Sequence, residues 1–214
     1  MKSSFSNLEG AKIILDMIDV IQENKQYLSD IDGLIGDGDH GINMNKGFQL
    51  CKDKLATQPG DLAYSAKTLS KILMMKIGGS MGPLYGKLYG GFAKALEGKE
   101  QITKEDMQVA LGAMLTSIQS ISPAKPGDKT LLDTLTPAIA AYNGAIEESK
   151  DFIEALDAMK IAAEQGRDST KDMVAMLGRA SRLGERSRGV MDAGATSCCL
   201  LLSSLVESCR VLLN

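Results

Sequence analysis

Residues 30–48, DIDGLIGDGDHGINMNKGF, carry carboxylates at Asp30, Asp32, Asp37 and Asp39 interspersed with glycines, ahead of His40, the chain's only histidine. The five- and two-residue spacings of Asp32, Asp37 and Asp39 match neither a helix face nor a strand alternation broken by Gly33, Gly36 and Gly38, so the stretch reads as a loop. Glycines let such a loop fold tightly and crowd its carboxylates, and two of these about 4 Å apart repel by roughly 4 kcal/mol at an effective dielectric near 20. A cation between them is the expected remedy. Oxygen-only ligands select Mg2+ or Ca2+, and three carboxylates leave coordination positions for water and phosphate, which suits Mg2+. A calcium EF-hand fails on register: a twelve-residue frame begun at Asp37 puts Phe48 where the bidentate Glu belongs, and one begun at Asp30 puts Gly41 there. Plain turn and N-cap aspartates are the bland alternative, but a cap needs one carboxylate and this loop carries at least three.

The chain around this loop has 214 residues and is 44% hydrophobic, enough for one sizeable core, so residues 1–214 are expected to form a single domain. Twenty-four basic against 27 acidic residues, with no basic run, argue against nucleic acid as a partner. No apolar stretch is read as a membrane span, and the start MKSSFSNLEG lacks the apolar core of a signal peptide, so a cytoplasmic location without a membrane partner is expected. Cys51, Cys198, Cys199 and Cys209 show no C-x-x-C spacing and read as reduced core residues.

Helical periodicity dominates the rest. A first helix is expected from about Asn7 to Tyr27, a second from near Gly41 to before Pro59, and a third through Leu62–Leu73, stopped by Gly78-Gly79. A fourth begins at Ser80, with Gly82, Gly86 and Gly90 on one face, where another backbone or a ligand can approach. Thr103 with Asp106 opens a fifth, residues near Thr130 a sixth containing Pro137, and Asp151 with Glu154 a seventh that extends toward Met176. An aperiodic Arg/Gly segment, 178–195, precedes a final apolar helix from about Thr196 to Leu213. Eight helices, no convincing strand and only 4% aromatics predict an all-α antiparallel bundle or barrel. In an up-and-down arrangement the acidic loop, GGSMG (78–82), SPAKPGDK (122–129) and the Arg/Gly segment all fall at one end, where they would build one site. Glycine-rich helix starts present free N–H groups to phosphate, although GGSMG is neither a Walker A loop nor a Rossmann fingerprint.

In that order, GDGDHGINMNKGF, GGSMGPLYG, KPGDKT, GRASRLGERS and DAGATS resemble the ADP-binding L subunits of bacterial phosphotransferase-system-dependent dihydroxyacetone kinases, over nearly the whole chain. The resemblance implies an eight-helix antiparallel barrel with nucleotide and Mg2+ at one end. It implies that Asp32, Asp37 and Asp39 hold magnesium and that His40, Gly41, Ile42 and Asn43 follow at the phosphates. It further implies nucleotide contacts from Ser80, Met81, Ser122, Thr130, Leu131, Arg179, Asp192, Ala193 and Gly194, with no covalent nucleophile among them. ADP, converted to ATP when phosphorylated, would be the cofactor. The partners implied are a phosphohistidine phosphotransferase subunit as donor and a K subunit that holds dihydroxyacetone. Two alternatives stand beside this: the nucleotide domain of an ATP-dependent dihydroxyacetone or fatty-acid kinase, and a non-enzymatic, nucleotide-sensing partner of a transcriptional regulator.

Overall fold

A computed structural model describes residues 2–214. Helices α1 (Asn7–Glu23), α2 (Lys25–Ile35), α3 (His40–Thr57), α4 (Leu62–Lys76), α5 (Met81–Leu96), α6 (Lys104–Gln119), α7 (Leu132–Glu147), α8 (Phe152–Ser169) and α9 (Ala193–Leu213) follow one another. Consecutive helices from α3 to α9 pack side by side, α9 returns to α1, and α1 also packs against α3 and α4. The barrel therefore has eight wall helices, as the periodicity predicts. The additional helix is α2, which lies against α3 and α9.

Sequence and structure part company first at Asn24. The expected helix from Asn7 to Tyr27 breaks there: Asn24 takes φ −98°, ψ 9°, and its side-chain amide donates to the Val20 carbonyl (2.9 Å) alongside its own backbone N–H, the local bond by which Asn favours helix ends. The chain restarts as α2 and runs through Asp30, Asp32 and Gly33 to Ile35. Asp32 thus sits in the last turn of a helix rather than in a loop, and only residues 36–39 are irregular.

Signals at the far end of the barrel are realised closely. Thr103 with Asp106 and Asp151 with Glu154 each form a reciprocal capping box, and Asp61 accepts from the Tyr64 N–H (2.7 Å) at the start of α4. Each such cap is worth about 1 kcal/mol. Two three-residue strands, β1 (Ser4–Ser6) and β2 (Gln101–Thr103), pair antiparallel here and were not read from the sequence. They bring Phe5 onto the Phe152 ring, with centroids 6.1 Å apart. Buried Asn7 ties the same end by donating to the Lys99 carbonyl (2.7 Å) and accepting from the Ala63 N–H (3.3 Å).

One apolar cluster runs through all nine helices, from Ile14 and Phe48 to Leu135 and Leu205, and the four cysteines are buried and unpaired within it. The glycine face of α5 serves close backbone packing. A Cβ at Gly82 or Gly86 would overlap α4, and Ser70 of α4 donates to the Gly86 carbonyl (2.7 Å). Pro137 lies inside α7, where it cannot donate to the Asp133 carbonyl, and Gly166 of α8 packs against that carbonyl. Helix α8 ends at Ser169, well short of Met176, and a 3-10 turn follows at Thr170–Asp172. Helix α9 starts three residues earlier than expected, with Asp192 as its cap. By length and a mean hydropathy of 1.5, α9 does reach what a membrane span requires, contrary to the sequence reading. Its apolar faces are buried in the core against α1, α7 and α8.

Candidate functional site

Helix starts differ around the barrel. At the far end α4, α6 and α8 each have a cap from the N-cap side chain and α1 does not, whereas α3, α5 and α7, which start at the opposite end, all lack one. The first N–H of α3 and of α7 is taken by the Asp32 and Thr130 side chains, and the remaining N–H groups of these first turns, with the positive ends of the helix dipoles, are what helices use to receive phosphate oxygens. At α9 the end is capped, by Asp192 accepting from the Ala195 N–H (2.7 Å).

Before the uncapped start of α3 lies the aspartate cluster. One ligand oxygen from each of Asp32, Asp37 and Asp39 lies within 4.8 Å of the others. Asp32 is half-buried and also accepts from the His40 N–H (3.3 Å), while Asp37 and Asp39 face solvent. Burial and the neighbouring charges of Asp37 and Asp32 raise the Asp39 pKa, against the pull of Arg179 and a hydrogen bond from Asn43. Three hard oxygen donors that repel one another at this spacing fit a small divalent cation with an open coordination sphere. Local sequence enforces the crowding. Gly38 has φ +74°, a Cβ at Gly36 would press on the Asp32 carboxyl, and one at Gly41 would overlap the Lys25 carbonyl of α2.

Distant residues converge on this cluster. Arg179, from the Arg/Gly segment, forms an ion pair with Asp37. His40 Nε2 lies 2.8 Å from Ser197 Oγ on α9, and Ser197 Oγ is 2.6 Å from the Tyr85 hydroxyl on α5. Burial pushes the His40 pKa down to about 4, so the ring is neutral at pH 7. The Tyr85 and Ser197 hydroxyls each lie 3.1 Å from the Gly194 carbonyl, and with Ser197 turned to His40 it is Tyr85 that donates to it. Gly194 in turn lies beside Leu131, at a distance where a Cβ would make ordinary van der Waals contact with it. The Asp192 carboxyl, pushed up to about 6 by burial, lies at the same helix start, next to buried Ala193.

Not every expected residue offers a side chain. Met81 is buried in the core, so only its backbone is available at the turn. Ser122 accepts from the Ala124 N–H (3.2 Å) and Thr130 from the Leu132 N–H (3.2 Å), both local turn bonds. Ile42 and Ser80 are exposed, and Gly78 and Gly79 have open space around them. Among the described residues, Ser80 and Ser122 make no hydrogen bond to the other candidates.

Four residues that organise this end were missed: Tyr85, Ser197, Asp133 and Lys129. Asp133 is buried and accepts from the Gly127 (2.5 Å) and Thr130 (2.6 Å) N–H groups, which shapes the PGDK turn. Its signal was its position three residues after Thr130, the spacing of a helix-start acid.

Uncapped helix starts beside an acid cluster, at one end of an all-α barrel, are the arrangement that would suit an anion bound together with a cation, and the chain falls within a known family. The DAK2 domain family model matches residues 34–207, and the chain belongs to that family. Among its relatives, the ADP-binding subunit of the PEP-dependent dihydroxyacetone kinase of Escherichia coli is 35% identical over 193 residues, 90% of this chain and 92% of that one. The corresponding subunit of dihydroxyacetone kinase 1 of Listeria innocua is 38% identical over 189 residues, 88% of this chain and 89% of that one. The fold is also that of the C. freundii dihydroxyacetone kinase crystal structure, with a TM-score of 0.68 and 24% identity over 97% of this chain. This chain covers 35% of that kinase's length. A second structure of the same kinase, in complex with AMP-PNP and Mg2+, aligns with a TM-score of 0.67 and 23% identity.

Proposed function

We propose that the chain is the ADP- and Mg2+-binding subunit of a phosphoenolpyruvate-dependent dihydroxyacetone kinase, a phosphotransferase that works as a multi-subunit complex. Bound ADP receives a phosphoryl group from a phosphohistidine phosphotransferase subunit and passes it to dihydroxyacetone held on a K subunit. The observation that carries this reading is the Asp32, Asp37 and Asp39 cluster, within 4.8 Å, beside the uncapped start of α3.

Magnesium, when bound, would be held by these three carboxylates and would neutralise phosphate oxygens. The chain's own residues do the rest. The N–H groups of α3 after His40 and those of the first turn of α5 orient the phosphates, and neutral His40 offers a hydrogen bond without adding charge. Arg179 balances negative charge from the rim, and the Asp192–Gly194 turn with Leu131 supplies the far wall. Nothing here acts as a nucleophile, so the work is positioning and charge stabilisation of an in-line transfer.

A second reading, the nucleotide domain of an ATP-dependent kinase, is favoured by the shared fold of the larger C. freundii kinase. One reconstitution separates the two. Purified protein is mixed with Mg2+, a K subunit, dihydroxyacetone and a phosphohistidine donor, with ADP far below the substrate concentration. Dihydroxyacetone phosphate formed in many-fold excess over ADP supports the first reading. Turnover that requires stoichiometric ATP and ignores the donor supports the second. A rim that also engages a transcriptional regulator would appear as regulator binding that changes with the phosphorylation state of the nucleotide.

A further inference from the structure

Lys129 stands in the PGDK turn with φ +62° and is 2% exposed. Its Nζ lies within hydrogen-bond distance of four backbone carbonyls, Thr170 (2.7 Å), Met173 (3.2 Å), Ser187 (2.8 Å) and Val190 (2.6 Å), among which three N–H donors are shared, the longest contact, to Met173, being the shared one. These carbonyls flank one excursion of the chain. Thr170 and Met173 lead into residues 174–186, and Ser187 and Val190 lead out of them. Arg179, the residue that reaches Asp37, is carried on that excursion.

A neutral amine has two N–H donors and a lone pair, which would face a carbonyl oxygen; an ammonium has three donors and suits an all-oxygen cage. Burial lowers the Lys129 pKa from the ordinary lysine value, while Asp192 and Asp172 favour its charged form. The neck is reinforced by Gly189 N–H donating to the Lys171 carbonyl (2.8 Å) and by Ala175 N–H donating to buried Ser187 (2.9 Å). The tip is held far less firmly. Arg179 is 63% exposed and Asp37 34%, and such pairs contribute little by themselves.

We infer that Lys129 is a positioning residue: a tethered cation that closes the neck of the 174–186 excursion and thereby holds Arg179 over the aspartate cluster. The inference rests on the nucleotide reading given above. It makes the third loop of the site the clasp of the fourth, with the lysine doing in a carbonyl cage what a bound monovalent cation does elsewhere. Lys129 and Arg179 are then energetically one unit, although they do not touch.

A double-mutant cycle on the full chain tests this. Mg·ADP affinity is measured by calorimetry for wild type, Lys129→Ala, Arg179→Ala and the double variant. The expected result is a loss of about tenfold in each single variant, close to 1.4 kcal/mol, with little further loss in the double. Propylammonium should restore Lys129→Ala and leave Arg179→Ala unchanged, while tetramethylammonium, which has no N–H, should do neither. Additive losses, an unchanged Lys129→Ala, or absence of propylammonium rescue would overturn the inference while the nucleotide reading stands. Failure of wild type to bind Mg·ADP would instead remove that reading, and this inference with it. Should Lys129→Ala not fold, site-resolved reductive methylation of unaltered protein takes its place. Lys129 labelling should slow when Mg·ADP is added, and an unchanged rate would overturn the coupling.

Discussion

His40 Nε2 lies 2.8 Å from Ser197 Oγ, which joins the first residue of α3 to the start of α9 across 157 positions of sequence. The same hydroxyl is 2.6 Å from Tyr85, so three helices meet at one buried oxygen behind the proposed phosphate site. When Ser197 donates to Nε2, the ring proton resides on Nδ1, and His40 presents a single defined donor. Replacing Ser197 with Ala should cost about 1 to 3 kcal/mol in urea unfolding, because Tyr85 and His40 each lose a buried partner. Mg·ADP affinity should drop with it, and affinity equal to wild type would show that the hydroxyl only fills space.

Gly41→Ala tests the fit between α2 and α3. The added Cβ would overlap the Lys25 carbonyl and sit 2.9 Å from the Ser29 N, so one helix must shift. A loss of about 1 to 3 kcal/mol is expected from such overpacking, together with weakened nucleotide retention, since Asp32 is on one helix and Asp39 starts the other. Thermal unfolding and ADP content after purification check both parts.

Much of this end was legible before the structure. Glycine and proline punctuation located the four loops, and the paired Thr103/Asp106 and Asp151/Glu154 spacings located the far ends of two helices. What was not legible has physical causes. Gly33 and Gly36 make the sequence around Asp32 look like a loop, yet burial of Leu28, Ile31 and Ile35 holds α2 together through Gly33. The strand pair is only three residues long on each side, too short for an alternation to show. Lys129 carried no signal, since a lysine in a Pro/Gly turn ordinarily faces water. Its burial depends on carbonyls supplied some forty to sixty residues later, a tertiary fact.

Asp192 gives the site a pH signature. Its folded-state pKa of about 6 stands above the ordinary 3.8, so between these values the native chain keeps a proton that the unfolded chain has lost. Stability from this group is complete below pH 4 and declines as pH rises through 6, by roughly 3 kcal/mol in total. Asp192→Asn should lack that decline while preserving the cap on Ala195. Urea unfolding between pH 4 and 7, with chelator present, should therefore show the variant gaining on wild type as pH increases. A pH-independent difference would contradict the assignment.

Arg182 and Arg186 are exposed on the rim, whereas Arg188 pairs with Glu185. Free positive charge near a site raises encounter rates more than affinity and does so most at low salt. Arg186→Glu should slow phosphoryl transfer with at least one partner protein, with the defect growing as ionic strength falls. A salt-independent rate ratio between variant and wild type would leave Arg186 without a steering role.

Metal-dependent nucleotide binding by the aspartate cluster is the claim from which the rest follows. It is tested most directly by titrating ADP into nucleotide-free protein in the calorimeter, with Mg2+ and then with excess chelator, for wild type and Asp37→Asn. One ADP per chain should bind wild type in Mg2+, with affinity reduced at least about tenfold by the chelator or by the substitution, and with helix content unchanged. Equal ADP affinity in all four titrations would contradict the account.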